Sequence, residues 1–124
     1  MSILVVEDDM IIRAVLMELL TEVGHTVLEA ENGREALDLL RQLDELPSLI
    51  MLDLMMPVMT GWELCAVLAL DPVLGRIPVA VLSAVSQIGE RTRELGAVST
   101  LAKPVELDEI LALAAQYDSP GAQR

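Results

Sequence analysis

At 124 residues the chain is one domain's worth, and a domain of this size buries roughly two-thirds of its unfolded surface without disulfides or a structural metal. Hydrophobic residues make up 53% and charged residues 23%, with a mean hydropathy of +0.51. Twenty acids against eight bases leave a formal charge of -12, which argues against nucleic acid and anionic membranes as direct partners, because both need a basic footprint.

Met1–Val6 is a short apolar stretch that ends in acid, unlike a signal peptide or a membrane span, so a cytoplasmic protein is expected. Ile3–Val6 predicts a first strand. Ile11, Ile12, Val15, Leu16, Leu19, Leu20 and Val23 then form one helical stripe, stopped by Gly24. Thr26–Ala30 predicts a second strand. Asn32 with Glu35, and later Thr60 with Glu63, have the spacing of capping boxes that open two more helices. Leu49–Leu52, Val79–Leu82 and Val98–Ala102 supply three further apolar runs without polar alternation, as expected of strands covered on both faces. Ser86–Leu95 and Glu106–Gln116 read as the last two helices. Five β-α units with parallel strands require an open, doubly wound α/β sheet. One domain over residues 1–117 is expected, with 118–124 (DSPGAQR) as a frayed tail or the start of a linker.

Ligands of such sheets bind just beyond the carboxyl ends of the strands. Glu7, Asp8 and Asp9 follow the first run, Asp53 the third, Ser83 the fourth and Lys103, the chain's single lysine, the fifth. The second run delivers nothing to this rim, which fits an edge strand. Clustered carboxylates raise one another's pKa unless a cation sits among them. Hard oxygen donors with open positions suit Mg²⁺, which prefers phosphate as a further ligand. An aspartate is a competent nucleophile toward phosphoryl groups and needs no general base. A lysine point charge and the Ser83 hydroxyl would complete a phosphoryl-handling site.

Taken together, ILVVEDD (Ile3–Asp9), GHTVLEAENGREAL (Gly24–Leu37), LIMLDLMMPVMTGWEL (Leu49–Leu64), IPVAVLSA (Ile77–Ala84) and LAKPVEL (Leu101–Leu107) carry a family resemblance. Over nearly its whole length the chain resembles the receiver domains of bacterial two-component response regulators, including chemotaxis-regulator-like and phosphorelay members. The resemblance implies a flavodoxin-like sheet with strand order 2-1-3-4-5. It implies that Asp53 accepts phosphate from a sensor histidine kinase or a histidine phosphotransfer protein. It implies Mg²⁺ (or Mn²⁺) held by Asp8, Asp53, the backbone carbonyl of Met55 and, through water, Glu7. Lys103 would pair with the phosphoryl group, Ser83 would hydrogen-bond it, Ala84 would leave access, and Pro104 would form a cis-proline turn. A downstream protein target would read the phosphorylated state.

Thr100 departs from the family pattern, standing where a Tyr or Phe usually swings inward on activation. A threonine cannot bury an aromatic ring. Signalling through the loop Ala84–Gln87 and the helix after it, or weak switching, are both open. Two other classes compete with the phospho-acceptor. One is a protein-binding module that works without phosphorylation, kept open by Thr100. The other is an Asp-nucleophile phosphatase, disfavoured because Asp53-Leu54-Met55 lacks the second acid of an Asp-x-Asp pair and no Gly-rich phosphate loop is present. Outside the rim, lone Cys65 allows no internal disulfide and reads as core. Single His25 lies away from the rim, Met51, Met55, Met56 and Met59 read as packing, and Trp62 as partly exposed.

Overall fold

A computed structural model describes residues 2–84 and 96–118. Five strands, β1 (Ser2–Val6), β2 (Thr26–Ala30), β3 (Leu49–Asp53), β4 (Val79–Ala84) and β5 (Ser99–Lys103), form one parallel sheet in the order β2-β1-β3-β4-β5. The helices are α1 (Met10–Glu22), α2 (Gly33–Gln42), α3 (Gly61–Leu70) and α4 (Leu107–Tyr117), with a short 3₁₀ turn at Leu74–Arg76. The helix expected over Ser86–Leu95 and the tail beyond Asp118 lie outside the described residues. This is the doubly wound arrangement expected from the β-α alternation, in the flavodoxin-like strand order that the family resemblance implied. Strand ends differ by one or two residues: β3 and β5 include Asp53 and Lys103, and β4 runs on through Ser83 to Ala84.

The sheet separates two apolar layers because successive strand residues point to opposite faces. On β1, Leu4 and Val6 join Leu37, Leu40, Leu64 and Leu68 of α2 and α3. Ile3 and Val5 join Leu16, Leu20, Ile110 and Leu113 of α1 and α4. Every residue of β1 and β3 is buried, whereas β2 exposes Thr26 and Glu29, as an edge strand does. Each fully buried Leu or Ile contributes about 1.5–3 kcal/mol. The sulfur residues largely follow the packing account: Met51, Met56 and Cys65 are buried, and burial pushes the Cys65 thiol up to about 11. Met55 does not; it is 54% exposed beside the rim.

The stripe on α1 is wider than the core it covers. Only Leu16 and Leu20 are buried in this helix, while Ile11, Ile12 and Val15 are exposed. Asp9 caps α1, its Oδ1 accepting from the backbone N–H groups of Ile11 (2.9 Å) and Ile12 (3.1 Å). Gly24, at φ 105°, closes it. Thr60 and Glu63 make the full capping box at α3. At α2 the box is displaced by one residue: Asn32 accepts from the Glu35 N–H, but the Glu35 carboxylate accepts from the N–H of Glu31.

The far pole, where strands begin, carries a second polar cluster. Asp118 is 2% exposed, which corrects its reading as frayed tail. Its carboxylate meets His25 Nδ1 at 2.7 Å and accepts from the Ser48 hydroxyl, while the Ser48 N–H donates to the Ser2 carbonyl. A buried carboxylate must be partnered. These partners tie the end of α4 to the turn before β2 and the loop before β3.

Candidate functional site

β2 lies to one side of β1, and β3, β4 and β5 to the other. The winding direction reverses between β1 and β3, and the carboxyl ends of those strands flank the crevice that such a reversal opens. Glu7 and Asp8 leave β1 at this point, and Asp53 ends β3. The three carboxylates each offer an oxygen, all within 4.8 Å of one another.

Glu7 and Asp53 are buried, at 1% and 4% exposure, and Asp8 is exposed. Lys103, the last residue of β5, bridges the two buried acids. Its Nζ donates to Glu7 Oε1 at 3.0 Å and lies 3.3 Å from Asp53 Oδ1. The same Asp53 oxygen accepts from the Met55 N–H at 3.3 Å. Glu7 Oε2 accepts from the Asp9 N–H at 3.2 Å.

Burial first, and then the neighbouring charges, govern the titration. Burial pushes Glu7 up to about 7, as do its hydrogen bond with Asp53 and the Asp53 charge, against the lowering effect of Lys103 and of the Asp9 N–H. Burial acts to lower Lys103, but its hydrogen bond to Glu7 and the Asp53 and Glu7 charges outweigh it, leaving the ammonium above its ordinary value. Lys103 therefore stays charged, inside an acid cluster whose crowding a divalent cation would relieve. All donors are hard oxygens, the type suited to Mg²⁺ or Mn²⁺.

Ser83 sits one strand over, 2% exposed, its Oγ 3.4 Å from the Ala84 carbonyl. In register, Ser83 pairs with Ala102 and Ala84 with Lys103. Ala84 is exposed at the mouth. The Lys103–Pro104 bond is cis. Thr100 pairs with Val81 and is half-buried. The stretch from Val85 to Gln87, expected to carry the alternative signal, lies outside the described residues. Asp9, also at the rim by sequence, is a helix cap, as its two backbone partners show.

Two supports escaped sequence reasoning. Gly61 brings α3 against the end of β3: a Cβ there would lie 2.4 Å from the Asp53 carbonyl oxygen and 2.7 Å from Leu54 Cα. Its N–H donates to the Leu54 carbonyl at 2.9 Å. The Thr60–Glu63 box marked that helix start, but no local signal gave its distance from Asp53. Arg13, on α1, donates from Nη1 to the Glu7 carbonyl (2.8 Å) and from Nε to Glu29 Oε1 (2.9 Å). An arginine beside the apolar stripe of α1 was the only cue.

A parallel, doubly wound sheet with a lysine-bridged acid pair at its switch point defines an α/β module with a charged crevice at its strand ends. The chain belongs to the response regulator receiver domain family, whose sequence model matches residues 3–115. It is 40% identical over 112 residues to "Response regulator MprA" of Mycolicibacterium vanbaalenii, covering 89% of this chain and 47% of that one. Two solved structures are similar. A chemotaxis response regulator, CheY4 of Vibrio cholerae, matches with TM-score 0.84 at 26% identity over 94% of this chain and 98% of that one. The phosphorylated cyanobacterial phytochrome response regulator RcpA matches with TM-score 0.80 at 30% identity, over 94% and 92%. The chain spans about half the length of the response regulators and transcriptional regulators it matches. The family is one of regulators that take phosphate from histidine kinases. Among the described residues no helix is long and apolar enough to cross a membrane.

Proposed function

We propose that this chain is a phospho-acceptor: Asp53 takes a phosphoryl group from a phosphohistidine of a sensor histidine kinase or histidine phosphotransfer protein, and the product alters a protein-binding face. The observation that carries this is the Lys103 ammonium held between buried Glu7 and Asp53, with Asp8 beside them. A merely structural salt bridge would need one acid, not three.

Asp8, Asp53 and the Met55 carbonyl would hold Mg²⁺ or Mn²⁺, with Glu7 reaching it through water. Bound there, the cation supplies positive charge to the phosphoryl oxygens. An ionised Asp53 Oδ attacks phosphorus, the P–N bond breaks, and the imidazole leaves with the electron pair and takes up a proton. An aspartyl phosphate remains. Lys103 exchanges its contact with Asp53 for one phosphoryl oxygen, and the Ser83 hydroxyl donates to another. Ala84 leaves that side open, so water can later hydrolyse the acyl phosphate. The domain thus assists its own phosphorylation and dephosphorylation without turning over an external substrate.

The donor's seat is suggested by continuity. Ile12, Val15, Leu16, Val105 and Leu107 line an apolar groove of about 520 Å³ that includes Lys103. A protein docked there would bring its phosphohistidine to the rim. A protein target downstream, rather than nucleic acid, fits the formal charge of -12.

Thr100, in place of an aromatic ring, favours a second reading in which the fold binds its target whatever the state of Asp53. Incubation with Mg²⁺ and acetyl phosphate separates the two. The phospho-acceptor gains one phosphoryl group by intact mass, and Asp53→Ala does not. No gain in the wild-type protein, with target binding unchanged by Asp53→Ala, would establish the second reading.

A further inference from the structure

The run Glu7–Asp9 must turn sharply from β1 into α1 while aiming Asp8 at Asp53. Its backbone is held on both sides of Asp8. The Glu7 N–H donates to the Ala30 carbonyl at 3.1 Å, continuing the β1–β2 ladder by one bond. The Asp9 N–H donates to Glu7 Oε2, and the Arg13 N–H donates to the Asp9 carbonyl at 2.9 Å. The Glu7 carbonyl lies past the end of the ladder, where Arg13 Nη1 takes it at 2.8 Å. The guanidinium is itself fixed by Glu29 on β2, at 2.9 Å through Nε, with its side chain only 13% exposed. Among the described residues no hydrogen bond holds the Asp8 carboxylate, so its direction depends on this backbone.

We propose that Arg13 is a positioning residue for the cation site. Its fork clamps the Glu7 carbonyl to Glu29, fixing the peptide plane between Glu7 and Asp8 and so aiming Asp8 toward Asp53. The inference rests on the reading of Glu7, Asp8 and Asp53 as a divalent-cation site. Arg13 acts through geometry and against its own charge, since a guanidinium near the acids repels a divalent cation. Loss of charge and loss of position therefore move affinity in opposite directions.

That opposition makes the test decisive. Mg²⁺ affinity of the intact chain is measured by calorimetry, with urea unfolding of each variant in metal-free buffer. Positioning predicts that Arg13→Ala weakens Mg²⁺ binding about 10–100-fold, the scale seen when groups that orient ligands are lost. Arg13→Lys, which keeps the charge but cannot span both acceptors, weakens it less but measurably. A pure charge effect predicts tighter binding in Arg13→Ala and no change in Arg13→Lys. A pure folding role predicts a lowered unfolding midpoint with unchanged affinity. Either of those results overturns the proposal. Should Arg13→Ala not unfold cooperatively, Arg13→Gln carries the same outcomes. Asp8→Asn is the control: if it binds Mg²⁺ as tightly as the wild-type protein, or the wild type does not bind, the cation-site reading itself fails, whatever Arg13 does.

Discussion

Gly61→Ala tests whether the distance between α3 and β3 sets the reactivity of Asp53. The added methyl would meet the Asp53 carbonyl oxygen at 2.4 Å and Leu54 Cα at 2.7 Å. Ordinary carbon contacts lie near 3.5–4.0 Å, so backbone must yield by about 1 Å, with no flexible side chain to absorb it. Overpacking of this kind costs about 1–3 kcal/mol. Stretching the bond from the Gly61 N–H to the Leu54 carbonyl adds about 0.5–1.5 kcal/mol. The stiffer unfolded chain returns about 0.4–1 kcal/mol. The net expectation is a loss of about 2 kcal/mol, seen as a fall of about 1 M in the urea midpoint for an ordinary slope. Because the displaced atoms belong to Asp53 and Leu54, phosphorylation by acetyl phosphate should slow by about 10²-fold even at temperatures where the variant is fully folded, as expected for a 1 Å misplacement. Wild-type stability together with a wild-type rate would refute the argument that this glycine spaces the site. A stability loss with an unchanged rate would confine its role to packing.

Three further expectations use other parts of the molecule. Val58 is a β-branched residue at φ 67° in the loop after β3, so Val58→Asn or Val58→Gly should stabilise by about 1 kcal/mol and raise Tm by about 4 °C; unchanged or lowered thermal melts would contradict this. Glu7 has a folded pKa of about 7 against an ordinary 4.5, so its protonation favours the folded state at low pH. That contribution is full below about 4.5 and is lost as pH rises through about 7, so metal-free protein should lose stability over that window, while Mg²⁺ binding expels the proton and tightens with pH. Glu7→Gln should flatten both profiles in pH-resolved unfolding and calorimetry. Asp118→Ala strips His25 and the Ser48 hydroxyl of their shared partner and should cost about 2–4 kcal/mol by urea unfolding, with Mg²⁺ affinity unchanged because the cluster lies at the opposite end of the strands.

The sheet was legible because buried parallel strands are continuous apolar runs, and Leu49–Leu52 could scarcely be anything else. The rim was legible for the same reason: strand ends point one way, so Asp53 and Lys103 had to share one edge of the sheet. Supports that depend on distances across the fold were not. Nothing near Gly61 in sequence states that α3 presses on β3, and nothing near Asp118 announces His25, ninety-three positions away. Periodicity also overstated burial in α1, because it marks an apolar stripe without saying what covers it. Leu16 and Leu20 have core beneath them, while Ile12 and Val15 face the groove beside Lys103. Asp9 shows the converse error, an acid counted with the rim whose carboxylate was already taken by two backbone N–H groups.

The cluster of Ser2, His25, Ser48 and Asp118 has a consequence for how this module can be wired. Since all strands run parallel, the described chain starts and stops together at one end of the sheet, with the acidic crevice at the other. A tag, tether or additional folding unit joined at either boundary of the described chain would start from the pole remote from the acidic crevice. Exchanging such a unit alters none of the residues that line the crevice, since Glu7, Asp8, Asp53 and Lys103 all lie at the opposite pole. Polarity of the sheet, rather than any single residue, makes the input and attachment ends separable engineering problems.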